Sequence, residues 1–118
     1  LNRYKWNKKK LENQLKDKKS KQSIFYHKVT NLISIKKQNK AFHPNAKREI
    51  IDMGKKIFCF KRTSLDNKQI IYNITNLSSK YQKFKLNYKL KKYKNLLDKN
   101  KINHKLKLKP FETLWLSN

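Results

Sequence analysis

The sequence predicts an α+β chain in which N-terminal helices precede an all-β antiparallel sandwich. Two observations carry this prediction. Within residues 21–39 the apolar positions Phe25, Val29, Leu32 and Ile33 recur at i, i+4, i+7 and i+8, the stripe of a helix. Beyond Pro44 the period falls to two. Short runs rich in Ile, Tyr and Leu are there separated by turn residues at a spacing of roughly 8–12 residues, the pattern of a sandwich or barrel.

Each element has a local reason. Residues 1–6 are a short polar and aromatic segment. Asn7 is placed to cap a short helix whose Leu11 and Leu15 share a face. Asp17-Lys18-Lys19 reads as a loop, and Ser20 or Ser23 caps the second helix. Pro44 disfavours helix for His43, so that helix ends before it, and the text from Ala41 onward reads as strand-like. Ile50-Ile51-Asp52-Met53 is an apolar run closed by Gly54, followed by a strand from Ile57 to Thr63. Leu65-Asp66-Asn67-Lys68 carries turn chemistry. In residues 69–76, Ile70, Tyr72 and Ile74 fall on one face and Ile71, Asn73 and Thr75 on the other. Further strands are expected over 81–88, with Phe84, Leu86 and Tyr88 at period two, and over 93–97, turned by Asp98-Lys99-Asn100. His104, Leu106 and Leu108 alternate with Lys105, Lys107 and Lys109, Pro110 breaks the run, and residues 111–116 form a last strand. So small a sheet module should not fully cover the apolar face of the long helix.

Charge gives two readings. There are 32 Lys+Arg against 7 Asp+Glu, a formal charge of +25 on 118 residues. Such an excess suits polyphosphate partners, because Lys and Arg release counterions from them. Yet Lys outnumbers Arg 29 to 3, and Arg is the side chain whose planar fork reads phosphates and bases bidentately. Lys, Asn and Ile make up 53 of the 118 residues, as an AT-rich genome would dictate. The surface is therefore either compositional or that of a basic nucleic-acid-binding module. Both predict non-specific polyanion binding at low salt.

Other classes are excluded or left without residues. No apolar run reaches the roughly 20 residues of a membrane span, so no membrane partner is expected. The N-terminus lacks the apolar core of a signal peptide, which makes a cytoplasmic location the expectation. Cys59 is the sole cysteine and Gly54 the sole glycine, so neither a disulfide scaffold nor a glycine-rich phosphate loop can form. The chain begins at Leu1, which leads us to expect a fragment, a processed product or an incomplete reading frame.

No catalytic residue can be assigned. The acids Glu12, Asp17, Glu49, Asp52, Asp66, Asp98 and Glu112 are dispersed, and in a strand Glu49 and Asp52 point to opposite faces. His27, His43 and His104 lack metal-ligand spacing, so no metal and no cofactor are expected. Cys59, between Phe58 and Phe60, reads as a buried core residue. Asn73-Ile74-Thr75 and Asn76-Leu77-Ser78 match the glycosylation sequon, as chance allows in an Asn-rich chain. Tyr81, Phe84, Tyr88 and Tyr93, interleaved with Lys, are either a stacking platform for single strands or the inward faces of strands.

The segment Ala41-Phe42-His43-Pro44-Asn45-Ala46, followed by Ile57-Phe58-Cys59-Phe60-Lys61-Arg62-Thr63-Ser64, resembles the C-terminal region of one branch of glycoside hydrolase family 13, the α-amylase superfamily. That branch holds the sucrose and glucosylglycerate phosphorylases. Asn73-Ile74-Thr75-Asn76-Leu77-Ser78 resembles its "LTNVT" strand, and Leu108 to Leu116 (LKPFETLWL) its closing "LPPYEVLWL" strand. Leu1-Asn2-Arg3-Tyr4 resembles its "INRHxY" segment, with Tyr4-Lys5 where the family has His. The order and spacing fit over essentially the whole chain.

The resemblance implies a division of parts. Residues 1–40 would be the last loop and helix of a (β/α)8 barrel, and residues 41–118 a C-terminal antiparallel β-sandwich of the α-amylase type. The partner would be the upstream catalytic barrel of the same enzyme, with a glucoside and phosphate as substrates. The nucleophilic Asp and acid/base Glu of such retaining enzymes would lie on earlier strands, leaving this piece inactive alone. Substrate or phosphate contact is carried over to Arg3 and, with it, Asn2 and Tyr4.

Overall fold

In a computed structural model, which describes residues 3–84, 93–98 and 107–118, the first helix α1 (Lys8–Lys16) starts where a side chain can satisfy its free N–H groups. Asn7 accepts from the Lys10 N–H at 3.0 Å. The helix stops at Asp17, whose own N–H reaches back to the Asn13 carbonyl while its carboxylate accepts from Lys19 N–H. Of the two serines able to start α2 (Lys21–Gln38), Ser20 does so, its Oγ accepting from Ser23 N–H at 3.0 Å. The same hydroxyl donates to the Gln14 carbonyl, tying the two helices at their junction. Ser23 is buried, while the predicted stripe is not: Phe25, Ile33 and Leu32 are 69%, 47% and 38% exposed. These residues belong to the first of two units, Leu1–Ser34 and Ile35–Asn118.

The second unit is an antiparallel sheet. Its strands are β1 (Lys47–Asp52), β2 (Ile57–Thr63), β3 (Ile70–Asn76), β5 (Lys94–Asn95) and β7 (Thr113–Ser117), in the order β1-β2-β3-β7-β5. A separate two-stranded ladder joins β4 (Gln82–Lys83) to β6 (Lys107–Leu108). The β1–β2 turn needs a positive φ at Gly54 (85°), and Asp52 Oδ1 fixes it by accepting from Gly54 N–H at 2.9 Å. The β2–β3 turn has Asn67 in the left-handed region, with Asp66 held by Ser64 Oγ and Lys68 N–H.

The alternation predicted for β2 and β3 holds. Ile57, Cys59, Ile74 and Leu116 point to one face and, joined by Leu108 of the small ladder, form the buried core. Ile51, Met53, Tyr72, Phe84, Tyr93 and Leu114 pack around them. Each fully buried aliphatic side chain here contributes on the order of 1.5–3 kcal/mol.

Three expectations change. Residues 41–46 do not begin a strand: Lys40–Phe42 form a 3-10 turn, and the first strand starts at Lys47 rather than Ile50. The reason is that Ala41 spends its backbone groups on side chains, accepting from Arg62 Nε and donating to Gln69 Oε1, so neither is free for a ladder. The strand expected over 93–97 shortens to two residues, because Asn95 Oδ1 accepts from both Leu97 N–H and Trp115 N–H and bends the chain. The expected last strand starts two residues late, since Phe111 lies at φ 57° in the turn before it. Leu86, Tyr88, His104 and Leu106 lie outside the described residues.

Candidate functional site

The residues to which the sequence assigns substrate contact precede α1. Asn2 lies outside the described residues. Arg3 is exposed and, among the described residues, makes no ion pair. Tyr4 is 75% exposed and meets the edge of Trp6 with ring centroids 5.2 Å apart. The guanidinium thus keeps its five donors for solvent or a ligand.

Six of the seven acids have local structural partners. Glu12 pairs with Lys8, Asp17 caps a helix end, Asp52 holds a turn, and Glu112 accepts from Lys109 N–H. Glu49 sits between Lys47 and Lys61, at 2.8 and 2.9 Å, and their ammonium groups hold its carboxyl down at about 2. Asp66 is held well below the usual carboxylate range by the Ser64 hydroxyl, then by Lys40 and the Lys68 N–H. General acid catalysis needs a carboxyl poised near neutrality, and these two are displaced the opposite way. Cys59 is 1% exposed, and burial pushes its thiol up to about 11, which removes the thiolate a nucleophile requires. Among the described residues no three His, Cys, Asp or Glu side chains gather as a metal site.

The distinctive 41–46 segment is built as a structural joint. Ala41 and Ala46 are buried, and the Phe42 ring packs against Trp115 at a tilt of 54°, with centroids 4.9 Å apart. Arg62 clamps the turn, donating from Nε to the Ala41 carbonyl and from Nη2 to the His43 carbonyl, both at 2.6 Å. Gln69 extends the clamp by donating to Asn39 Oδ1 and to Ser117 Oγ. A hollow of about 280 Å³ opens here, lined by Lys40, His43, Leu65 and Asp66. Lys40 and Asp66 neutralise one another across 2.9 Å, and His43 Nδ1 already accepts from Asn45 N–H.

One residue read as a chance sequon has a defined role. Asn76 is fully buried, donating to the carbonyls of Lys80 and Lys109 and accepting from the N–H and Oγ of Ser78. All four hydrogen-bond positions of its amide are filled, so it is not open to glycosylation in the folded chain. The Asn-x-Ser spacing was the available signal, since it is also the spacing of a side chain closing its own turn. The aromatic run splits: Phe84 and Tyr93 pack on the core, while Tyr81 is 56% exposed under the Lys107 ammonium at 4.3 Å. Tyr88 lies outside the described residues. Among the described residues no helix is long and apolar enough to cross a membrane.

No protein-family model and no curated protein sequence matches this chain. Solved structures do. A MutB variant in complex with the substrate sucrose is similar over 91% of this chain, with a TM-score of 0.66 at 17% identity. Trehalose-6-phosphate hydrolase (TreA) of Bacillus licheniformis is similar over 90%, with a TM-score of 0.60 at 21% identity. The likeness is one of fold: two helices followed by an antiparallel sheet. It spans 19% of the MutB chain and 20% of the TreA chain, so this chain has about a fifth of their length.

Proposed function

We propose that this chain is the C-terminal part of an α-amylase-superfamily enzyme, specifically a retaining glucosyl-transferring glycoside phosphorylase related to sucrose phosphorylase. In this reading residues 1–40 complete a (β/α)8 barrel, and residues 41–118 form the C-terminal sandwich, with the five-stranded sheet as one of its layers. The whole enzyme is cytoplasmic and moves a glucosyl unit between a glucoside and phosphate. The carrying observation is the shared fold over nine-tenths of the chain with MutB, whose structure holds the substrate sucrose, and with a trehalose-6-phosphate hydrolase.

Two features support it. The exposed stripe Phe25, Leu32 and Ile33 is what a barrel helix presents when the rest of its barrel lies on other residues. The acids whose contacts are described above are committed to caps, turns and lysines, so the reaction's two carboxylates belong upstream. Arg3 then stands at the end of a barrel loop, its fork suited to phosphate or sugar hydroxyls, with Asn2 and Tyr4 beside it. The 118-residue chain should form no glucose 1-phosphate from sucrose and phosphate. A sucrose phosphorylase barrel lacking its own C-terminal region, supplied in trans, should bind the chain and regain phosphorolysis, and Arg3→Ala should weaken phosphate saturation. Turnover by the chain alone, or no association with the barrel, would overturn the reading. Sequence-preferring DNA binding that survives about 0.15 M salt would favour the basic nucleic-acid module instead.

A further inference from the structure

The outer edge of the sheet is self-complementary. β1 is a terminal strand of the five-stranded sheet. Ile50 at its middle is 80% exposed, more than any other large apolar side chain among the described residues. Edge strands are normally blunted at such positions by charge, proline or a bulge.

The direction of its free backbone groups follows from the neighbouring ladder. Ser64 N–H donates to Gln69 O, and Leu77 N–H to Lys56 O, so even-numbered β2 residues exchange hydrogen bonds with β3. In antiparallel pairing these bonds alternate, so Cys59 and Lys61 face Ile51 and Glu49 of β1. The N–H and C=O groups of Arg48, Ile50 and Asp52 therefore point away from the sheet. Their side chains also share one face.

We propose that β1 pairs antiparallel with β1 of a second copy of this chain, with Ile50 facing its counterpart on the twofold axis. Arg48 then faces Asp52 of the other copy on each side, and all three residues exchange backbone hydrogen bonds. Other registers compatible with the outward groups fail. Centring on Arg48 or Asp52 opposes like charges, and centring on Glu49 or Ile51 sets Ile50 against Arg48 or Asp52. Within one chain Arg48 also lies opposite Arg62, a pair of like charges that an incoming carboxylate relieves. Phe60 lies opposite Ile50, so the apolar row runs Phe60, Ile50 and then their two counterparts across the axis. A six-residue strand makes a small interface, and the net charge of +25 opposes association, so the dimer is concentration-dependent and strengthened by screening. This pairing does not depend on the proposed enzymatic role.

Sedimentation equilibrium of the 118-residue chain in about 0.3 M salt should show a mass rising with concentration toward twice 14.4 kDa. Ile50→Lys, Arg48→Asp and Asp52→Lys should each hold it at the monomer mass. An equimolar mixture of Arg48→Asp and Asp52→Lys should restore the dimer, because each charged position then meets its opposite. A wild-type chain monomeric to roughly 1 mM, or a dimer that survives Ile50→Lys, would overturn the proposal. Should Asp52→Lys unfold through loss of the Gly54 contact, seen by circular dichroism, the exposed Ile50→Lys change alone decides.

Discussion

Arg62→Ala should destabilise the sheet unit by about 1.5–3 kcal/mol, nearly all of it through one carbonyl. The guanidinium makes two charged hydrogen bonds, but the oxygens differ in what they lose. Ala41 is 0% exposed, so its carbonyl would be left without a partner and without water. That loss costs about 1.5–3 kcal/mol for a bond to a charged donor. His43 is exposed, and water replaces the second bond for about 0.5 kcal/mol or less. Opposing these, removal of Arg62 relieves its repulsion with Arg48 in the β1–β2 register, about 0.2–0.5 kcal/mol. Urea unfolding followed by circular dichroism should show a lower midpoint with an unchanged m-value. The thermal midpoint should fall by roughly 6 °C or more. Arg62→Lys should recover only part of the loss, because one ammonium cannot span carbonyls two residues apart. Arg48→Ala, which relieves the same repulsion and leaves both carbonyls paired, should be neutral or slightly stabilising. An Arg62→Ala chain within about 0.5 kcal/mol of wild type would refute the clamp.

Three further outcomes are expected. Glu49 is held at about 2 when folded against an ordinary 4.5, so its contribution is complete above about pH 4.5 and is lost as pH falls toward 2. Asp66 acts in the same direction, and Glu49→Gln should flatten the fall of the urea midpoint between pH 5 and pH 3. Cys59 should stay unreactive toward a thiol reagent at pH 7 until the chain is unfolded, and stoichiometric labelling of the native chain would contradict its burial. Asn76→Asp should cost about 3 kcal/mol or more, since a carboxylate would face the Lys80 and Lys109 carbonyls that the amide now serves. A folded variant with a wild-type urea midpoint would contradict that role.

Much of the fold is legible before any coordinates. Asn7, Ser20, Gly54 and the Leu65–Lys68 run act within a few residues of themselves, so their capping and turn chemistry can be read directly. The alternation of Ile70, Ile71, Tyr72, Asn73 and Ile74 assigns their faces because a strand has a period of two. Cys59 is placed in the core by the same rule. The candidate site is less legible. Arg3 is found through a resemblance, and nothing in its local pattern shows what it would touch. Asn76 has a local signal in its Asn-x-Ser spacing, but its burial and its bond to the Lys109 carbonyl, 33 residues away, do not show in that spacing.

By itself the sequence determined the order of helices and strands and the faces of β2 and β3 that turn to the core. These follow from local propensity and periodicity. Only the tertiary structure decided why Ala41-Phe42-His43-Pro44-Asn45-Ala46 is so distinctive. Its backbone is captured by Arg62 and Gln69, 21 and 28 residues from Ala41, and its Phe42 lies on Trp115. It also decided that Ile50 and Arg48 stand, among the described residues, on a terminal strand of the five-stranded sheet. Both depend on which segments become neighbours after chain closure, and no period along the chain encodes that.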